Sequence, residues 1–172
     1  MKIYIAFLRA VNVGGTGKLP MSELRALCEK IGFQNVKTYI ASGNVLFHSN
    51  VGVKESRSLL EAALKAYAKK EVGVVVRNVA DVRSVLQNNP FPDKKPNHTV
   101  ALFLNSKPPK NVLDSVTGVV NEELVVGNRE IYIHYSSGMA GSKLKFSLQS
   151  QGTARNMNTI GKMVELADEM ET

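Results

Sequence analysis

The sequence predicts an α+β fold made of duplicated ferredoxin-like βαββαβ units, with antiparallel or mixed sheets covered by helices. Three observations predict it. The first 77 residues alternate strand-like and helix-like apolar patterns in the order β-α-β-β-α-β, the split pattern of that fold. The order restarts near residue 98 as β-α-β-β-α. Each half also carries a Gly-Asn pair between two strand-like runs, at Gly43-Asn44 and Gly127-Asn128, which reads as an internal duplication. A chain of 172 residues is long enough to build its core without staples.

Ile3–Leu8 is apolar at odd and even positions alike, as a central strand buried on both faces requires. Arg9–Lys18 holds three glycines in ten residues and reads as a loop. Pro20 suits the first turn of a helix, Met21, Leu24, Leu27, Cys28 and Ile31 recur at helical spacing, and Gly32 is a natural stop. Cys28 lies on that stripe as a small buried hydrophobe. Val36–Ala41 and Val45–His48 are strands, joined as a hairpin at Ser42-Gly43-Asn44. Leu59, Leu60, Ala63, Leu64, Tyr67 and Ala68 mark a second helix starting near residues 50–54, and Val72–Arg77 a fourth strand. Asn78, with Asp81 three residues on, opens a short helix through Leu86.

Residues 88–96 form the one Pro-rich stretch. Residues 89–97 therefore read as a linker between a first unit over 1–88 and a second over 98–172. His98–Leu104 is a strand, Asn105–Lys110 a loop and Val112–Val116 a helix. Glu123–Val126 and Glu130–His134 are strands, and Gly141–Gln149 is a further helix. Where a fourth strand belongs, residues 152–158 lead instead into a last helix with an apolar stripe of Met157, Ile160, Met163, Val164 and Ala167. Thr153 is expected as its N-cap, with Asn156 at the third position.

Twenty-two Lys and Arg against 15 Asp and Glu leave a net charge of +7. Residues 1–86 carry 13 basic and 6 acidic side chains, whereas 87–172 carry 9 of each. Glu165, Asp168, Glu169 and Glu171 make the last turns acidic. A basic surface favours anions such as nucleotides, phosphorylated metabolites or nucleic acid. Here the cations are dispersed, with Lys69-Lys70 and Lys94-Lys95 as the densest pairs. The longest apolar runs are strand-length, so no membrane association is expected, and the single cysteine excludes a disulfide framework. The expected location is cytoplasmic.

Topology points to a site. In a split βαββαβ sheet the first two strands run parallel and the third returns between them, so the Arg9–Lys18 loop lies beside the Ser42-Gly43-Asn44 turn. Arg9 and Lys18 supply charge there, Asn12, Ser42 and Asn44 supply hydrogen bonds, and a helix start favours anions. The plain alternative is that glycines make turns, asparagines tolerate left-handed backbone and the charges are solvated. In the second half, Lys143 follows Ser142 at an expected helix start. Thr153-Ala-Arg155-Asn156-Met-Asn158-Thr159 gathers an arginine, two amides and two hydroxyls. Gly138–Lys143 lacks the order and spacing of a Walker phosphate loop, which excludes nucleoside-triphosphatase chemistry.

Other chemistry is missing. His48, His98 and His134 stand at no metal-binding spacing, and His134, alternating with Tyr132, is expected to be a partly exposed strand histidine. There is no nucleophile elbow, no dinucleotide fingerprint and no convincing carboxylate pair. Tyr4, Phe7 and Phe47 occur without the RNA-binding signature around them.

Several segments together resemble one bacterial family, domain of unknown function 1697. They are Leu8-Arg9-Ala-Val-Asn12-Val-Gly14-Gly15 with Lys18 and Pro20-Met, Thr38-Tyr39-Ile-Ala-Ser42-Gly43-Asn44-Val, Asn89-Pro-Phe-Pro, Ser142-Lys143-Leu and Gly152-Thr-Ala-Arg155-Asn156-x-Asn158-Thr159. Ala10 stands where that family usually has Gly, and Met157 where it often has Trp. The resemblance implies a small cytosolic protein of duplicated α+β fold and imports no activity.

The first expectation is a binding module for a phosphorylated or otherwise anionic small molecule, lined by Arg9, Asn12, Lys18, Ser42, Asn44, Lys143, Arg155 and Asn158. Nucleic-acid binding through the basic N-terminal half is the alternative. An enzyme on the same loops, with Tyr39 or Lys143 as acid–base group, and a homodimeric interaction module follow. No cofactor and no metal are expected.

Overall fold

The computed structural model describes residues 1–12 and 18–171. The chain divides into two compact units, Met1–Arg83 joined by the segment from Lys162 on, and Ser84–Gly161. The division passes through two helices, one over Val79–Gln87 and one over Met157–Glu171, and the Pro-rich segment at 88–96 lies inside the second unit.

The first unit runs β1 (Lys2–Leu8), α1 (Met21–Lys30), β2 (Gln34–Tyr39), β3 (Asn44–Ser49), α2 (Val53–Ala68) and β4 (Val74–Asn78), followed by α3 (Val79–Gln87). Its sheet has the order β2-β3-β1-β4 with every neighbour antiparallel, the ferredoxin-like arrangement. β1 is central, which explains its two-sided apolar pattern. Tyr4, Ala6 and Leu8 join the core formed with Leu24, Cys28, Phe47, Leu60 and Leu64, while Ile5 and Phe7 on the other face are fully buried too. Phe33 stacks on Phe47 with ring centroids 3.9 Å apart. Burial pushes the Cys28 thiol up to about 12, so it is an inert core residue at neutral pH.

The second unit runs β5 (Thr99–Phe103), β6 (Glu122–Val126), β7 (Glu130–Tyr135) and β8 (Thr153–Asn156), then α4 (Met157–Glu171). Its order β6-β7-β5-β8 repeats that of the first sheet, again antiparallel throughout. The fold is thus a duplicated α+β architecture. The pairing also aligns the repeats. Phe7 opposes Asn44 as Phe103 opposes Glu130, and Tyr4 opposes Asn78 as Val100 opposes Asn156. By this register Gly127-Asn128 lies two residues ahead of the counterpart of Gly43-Asn44. The duplication holds, but the shared Gly-Asn pair is not its true correspondence.

Several expectations for the second half are overturned. No helix forms over Gly141–Gln149; Leu144 and Phe146 are buried while Lys145 is exposed, a period of two. Lys145 exchanges both backbone hydrogen bonds with Thr117 (2.8 and 2.9 Å), which holds this strap extended, and only a 3-10 turn at Gln149–Gln151 follows. Val112–Val116 shrinks to a 3-10 turn over Val112–Ser115. The fourth strand does exist, as β8, because Thr153 and Arg155 turn inward beside β5. Thr153 is therefore a strand residue, and Asn156 is the cap: its Oδ1 accepts from Thr159 N at 2.9 Å. Asn78 does the same for α3, accepting from Asp81 N at 2.7 Å, as the sequence predicts. The α4 stripe of Met157, Ile160, Met163, Val164 and Ala167 is buried.

Candidate functional site

At one end of the first sheet, the exit of β1, the β2–β3 turn, the end of α2 and the start of β4 come together. Leu8 N donates to Gly43 O at 2.8 Å and Arg9 N to Gly73 O at 2.9 Å, so the chain leaving β1 passes between the turn and β4. Gly43 has φ +88°, and a Cβ there would stand 2.7 Å from Val11 Cγ2 and 2.8 Å from Leu8 Cβ. Only glycine permits that approach. Among the described residues at this end, Ala10 and Asn12 at φ 56° and Ile40 at 49° are also left-handed. For the β-branched Ile40 this is a strained conformation.

The amides singled out from the sequence brace this end. Asn12 Nδ2 donates to Leu19 O and Ala41 O, each at 2.8 Å, and its Oδ1 accepts from Leu19 N at 2.7 Å. One side chain thus ties both ends of the 12–19 segment to the hairpin. Asn44 is fully buried and donates to Tyr39 O (2.8 Å) and Ser42 Oγ (2.9 Å). Gly14, Gly15 and Gly17, the glycines of the expected loop, lie outside the described residues.

Arg9 and Lys18 border hollows whose linings do not include those amides. Arg9 lies along Gly73 and borders a hollow of about 320 Å³ with Glu61, Lys65, Glu71 and Val72. Lys65 and Glu71 are an exposed ion pair at 3.5 Å. Lys18 borders a second hollow, about 300 Å³, with Lys70 and Tyr67 over a floor of Val11, Leu19, Leu64 and Val72. That floor is buried, whereas Tyr67 is 40% exposed. Val72 borders both hollows. The chain reaches Lys70 by a left-handed turn at Lys69 (φ 60°), whose N–H closes α2 on Lys65 O at 2.9 Å.

Of the eight residues picked from the sequence, Lys143, Arg155 and Asn158 belong to the second unit, where they do not gather. Lys143 is exposed on the strap beside β6: Ser142 Oγ donates to Glu122 Oε1 at 2.9 Å, and the Lys143 carbonyl packs against Gly118. Asn158 is exposed in the first turn of α4, beyond β8 at the opposite edge of the sheet, roughly 14 Å away at ordinary strand spacing. Arg155 is buried on β8 with Nη1 donating to Ala154 O at 2.9 Å. Burial pushes its guanidinium down to about 10, which leaves it charged at neutral pH. Arg77, its counterpart in the first sheet, is 3% exposed and donates to Val76 O at 3.3 Å. The repeated Arg-Asn dipeptide at 77–78 and 155–156 is the signal that marks this pair in the sequence.

His134 is not partly exposed. It is 6% exposed, with Nδ1 2.9 Å from Thr99 Oγ1 and its ring 5.8 Å from that of Phe91. Thr99 Oγ1 itself donates to Lys95 O at 3.0 Å, so the imidazole is the donor to Thr99. Burial first, then the nearby Lys94, holds the His134 pKa below the usual range. Among the described residues no three His, Cys, Asp or Glu side chains are grouped to hold a metal ion. No helix among them is long and apolar enough to cross a membrane.

The family model described as a protein of unknown function (DUF1697) matches residues 1–132. The chain belongs to that family. The match takes in the whole Lys18–Tyr67–Lys70 hollow, while Lys143, Arg155 and Asn158 lie beyond it. Among solved structures, the conserved bacterial protein SP0830 from Streptococcus pneumoniae is similar, with a TM-score of 0.79 and 24% identity over 96% of this chain and 98% of that one. That likeness is one of fold. No curated protein matches the sequence significantly. The two departures of this family member now have places. Ala10 takes a left-handed φ that glycine adopts at no cost, and Met157 is a buried core residue at the start of α4.

Proposed function

We propose that the protein binds a small organic anion at the loop end of its first unit, and that it does so in the cytoplasm. One observation carries this reading. Two lysines, Lys18 and Lys70, border one hollow from separate segments, and the hollow has a buried apolar floor. Solvated surface lysines have no need of such a floor, whereas ligand sites combine an apolar lining with a few polar groups. Arg9 adds a third cation across Val72. Asn12, Ser42 and Asn44 enter as bracing for the end of the sheet, not as ligand contacts. The test is a thermal-shift and NMR panel of inorganic phosphate, sugar phosphates, nucleotides and short RNA and DNA at two salt concentrations. Selective stabilisation by a small anion, reduced in Lys18→Glu and Lys70→Glu, supports the reading. Stabilisation only by oligonucleotides, lost at high salt, replaces it with nucleic-acid binding.

A second reading, a homodimer, draws on the outer edge of the second sheet. Val119, Val120, Val125 and Val126 are all exposed on or beside β6, the edge strand, and an open apolar edge favours pairing with another strand. Light scattering tests it: a monomer at high micromolar concentration removes the reading, and a dimer broken by Val120→Asp supports it.

A further inference from the structure

We infer that the anion bound at the Lys18–Lys70 rim is a ring-bearing phosphomonoester, its ring lying on the apolar floor beside Tyr67. The inference rests on the anion-binding reading of the same hollow and adds the class of ligand. A bare phosphate would meet only the two lysines and leave the floor of Val11, Leu19, Leu64 and Val72 in water. A hollow of about 300 Å³ holds more than an inorganic ion and is at the small end of organic-ligand sites. Its wall includes Tyr67, which is 40% exposed although it sits on the otherwise apolar stripe of α2. An exposed aromatic at the side of an apolar floor offers a face for offset stacking. Charge and geometry favour the head group: a phosphomonoester carries about −1.5 to −2 at neutral pH and offers three acceptor oxygens to the two lysines that border the hollow.

The decisive experiment titrates the full-length protein by NMR with methyl phosphate, phenyl phosphate and phenol. Burying about 80 Å² of ring surface corresponds to roughly 30-fold in affinity, so phenyl phosphate is expected to bind about 30-fold more tightly than methyl phosphate. Tyr67→Ala is expected to remove most of that gap and leave methyl phosphate unchanged; as Tyr67 is largely outside the core, its replacement preserves the fold. Lys18→Ala combined with Lys70→Ala is expected to weaken both phosphates. Equal binding of the two phosphates, both lost in the double lysine variant, overturns the ring while the anion reading stands. Phenol binding as well as phenyl phosphate, or no binding of either phosphate at millimolar concentration, overturns both.

Discussion

The two units share one strand order but cover their sheets differently. In the first, the crossovers are α1 and α2, of ten and sixteen residues. In the second, the corresponding connections are a 3-10 turn at Val112–Ser115 and an extended strap pinned to Thr117 by Lys145. Val112, Leu144 and Phe146 from these segments pack on Val100, Leu102, Ile131 and Ile133 as helix residues do in the first unit. A sheet needs its apolar face covered, and any segment that brings apolar side chains and pairs its own backbone can do it. Strand pairing therefore carries the duplication, and the helices are one of two ways to complete it.

The hairpins make the same point at the scale of one residue. Asn44 and Glu130 occupy equivalent positions at the start of β3 and β7, both buried, and both spend their side chains on the preceding turn. Asn44 donates to Tyr39 O, whereas Glu130 accepts from the N–H groups of Asn128 (3.0 Å) and Arg129 (3.1 Å). The turn needs a buried polar partner, and opposite hydrogen-bonding chemistry serves each loop.

Six substitutions and a pH series test how far the equivalence extends. The largest effect is expected for Gly118→Ala. Its φ is +74°, and a Cβ would fall 2.0 Å from the Lys143 carbonyl oxygen, backbone that is tied into the strap. A cost of about 3 kcal/mol is expected, lowering Tm by roughly 6–12 °C for a chain of this size. Gly43→Ala in the first unit meets side chains instead, at 2.7 and 2.8 Å. Val11 Cγ2 can turn away but Leu8 Cβ moves only with its backbone, so about 2 kcal/mol is expected, measured by urea unfolding. A Gly43 variant costlier than the Gly118 variant would show that the strap, not the braced loop, is the softer structure.

Next in size is the caps. Asn78→Ala and Asn156→Ala are each expected to cost about 1 kcal/mol, and unequal losses would show that one unit depends more on its following helix. The pH comparison uses the equivalent histidines. His48 is half-buried beside Asn35, whereas His134 is buried and its pKa is lowered. The unfolded chain then binds a proton more readily, so stability from neutral His134 is present above about pH 6.5 and falls as the pH drops below it. Urea midpoints between pH 7.5 and 5 are expected to decline in the native protein and to decline less in His134→Gln. The smallest effect expected is a gain: Ala10→Gly relieves a left-handed alanine and should stabilise by up to about 1 kcal/mol.

The elements most legible in the sequence are those whose neighbours in space are also neighbours in the chain. The two-sided apolar run of β1, the α1 stripe with Cys28, and the Asn78 cap were all readable because period and capping are local rules. Lys69-Lys70 stood out as a charge pair, and the topology brought the β1 exit beside the Ser42-Gly43-Asn44 turn. What was not legible was which side chains would be spent on the backbone. Asn12 and Asn44 look like ligand groups in a string of residues, and their partners, Leu19, Ala41 and Tyr39, are known only once the loops are folded.

The sequence by itself determined the strand order of the first unit, the duplication and the family. Each rests on alternation, spacing or motif, and these repeat along the chain regardless of distant contacts. Tertiary structure alone decided that residues 141–149 would be a strap, that Thr153–Asn156 would be a strand, and that His134 would be buried. For these short segments local propensity is weak, and the outcome follows from the backbone partners available: Thr117 for Lys145 and β5 for β8. It also decided that Lys18 and Lys70, 52 residues apart, would border one hollow, because the position of a loop is set by the sheet that holds both of its ends.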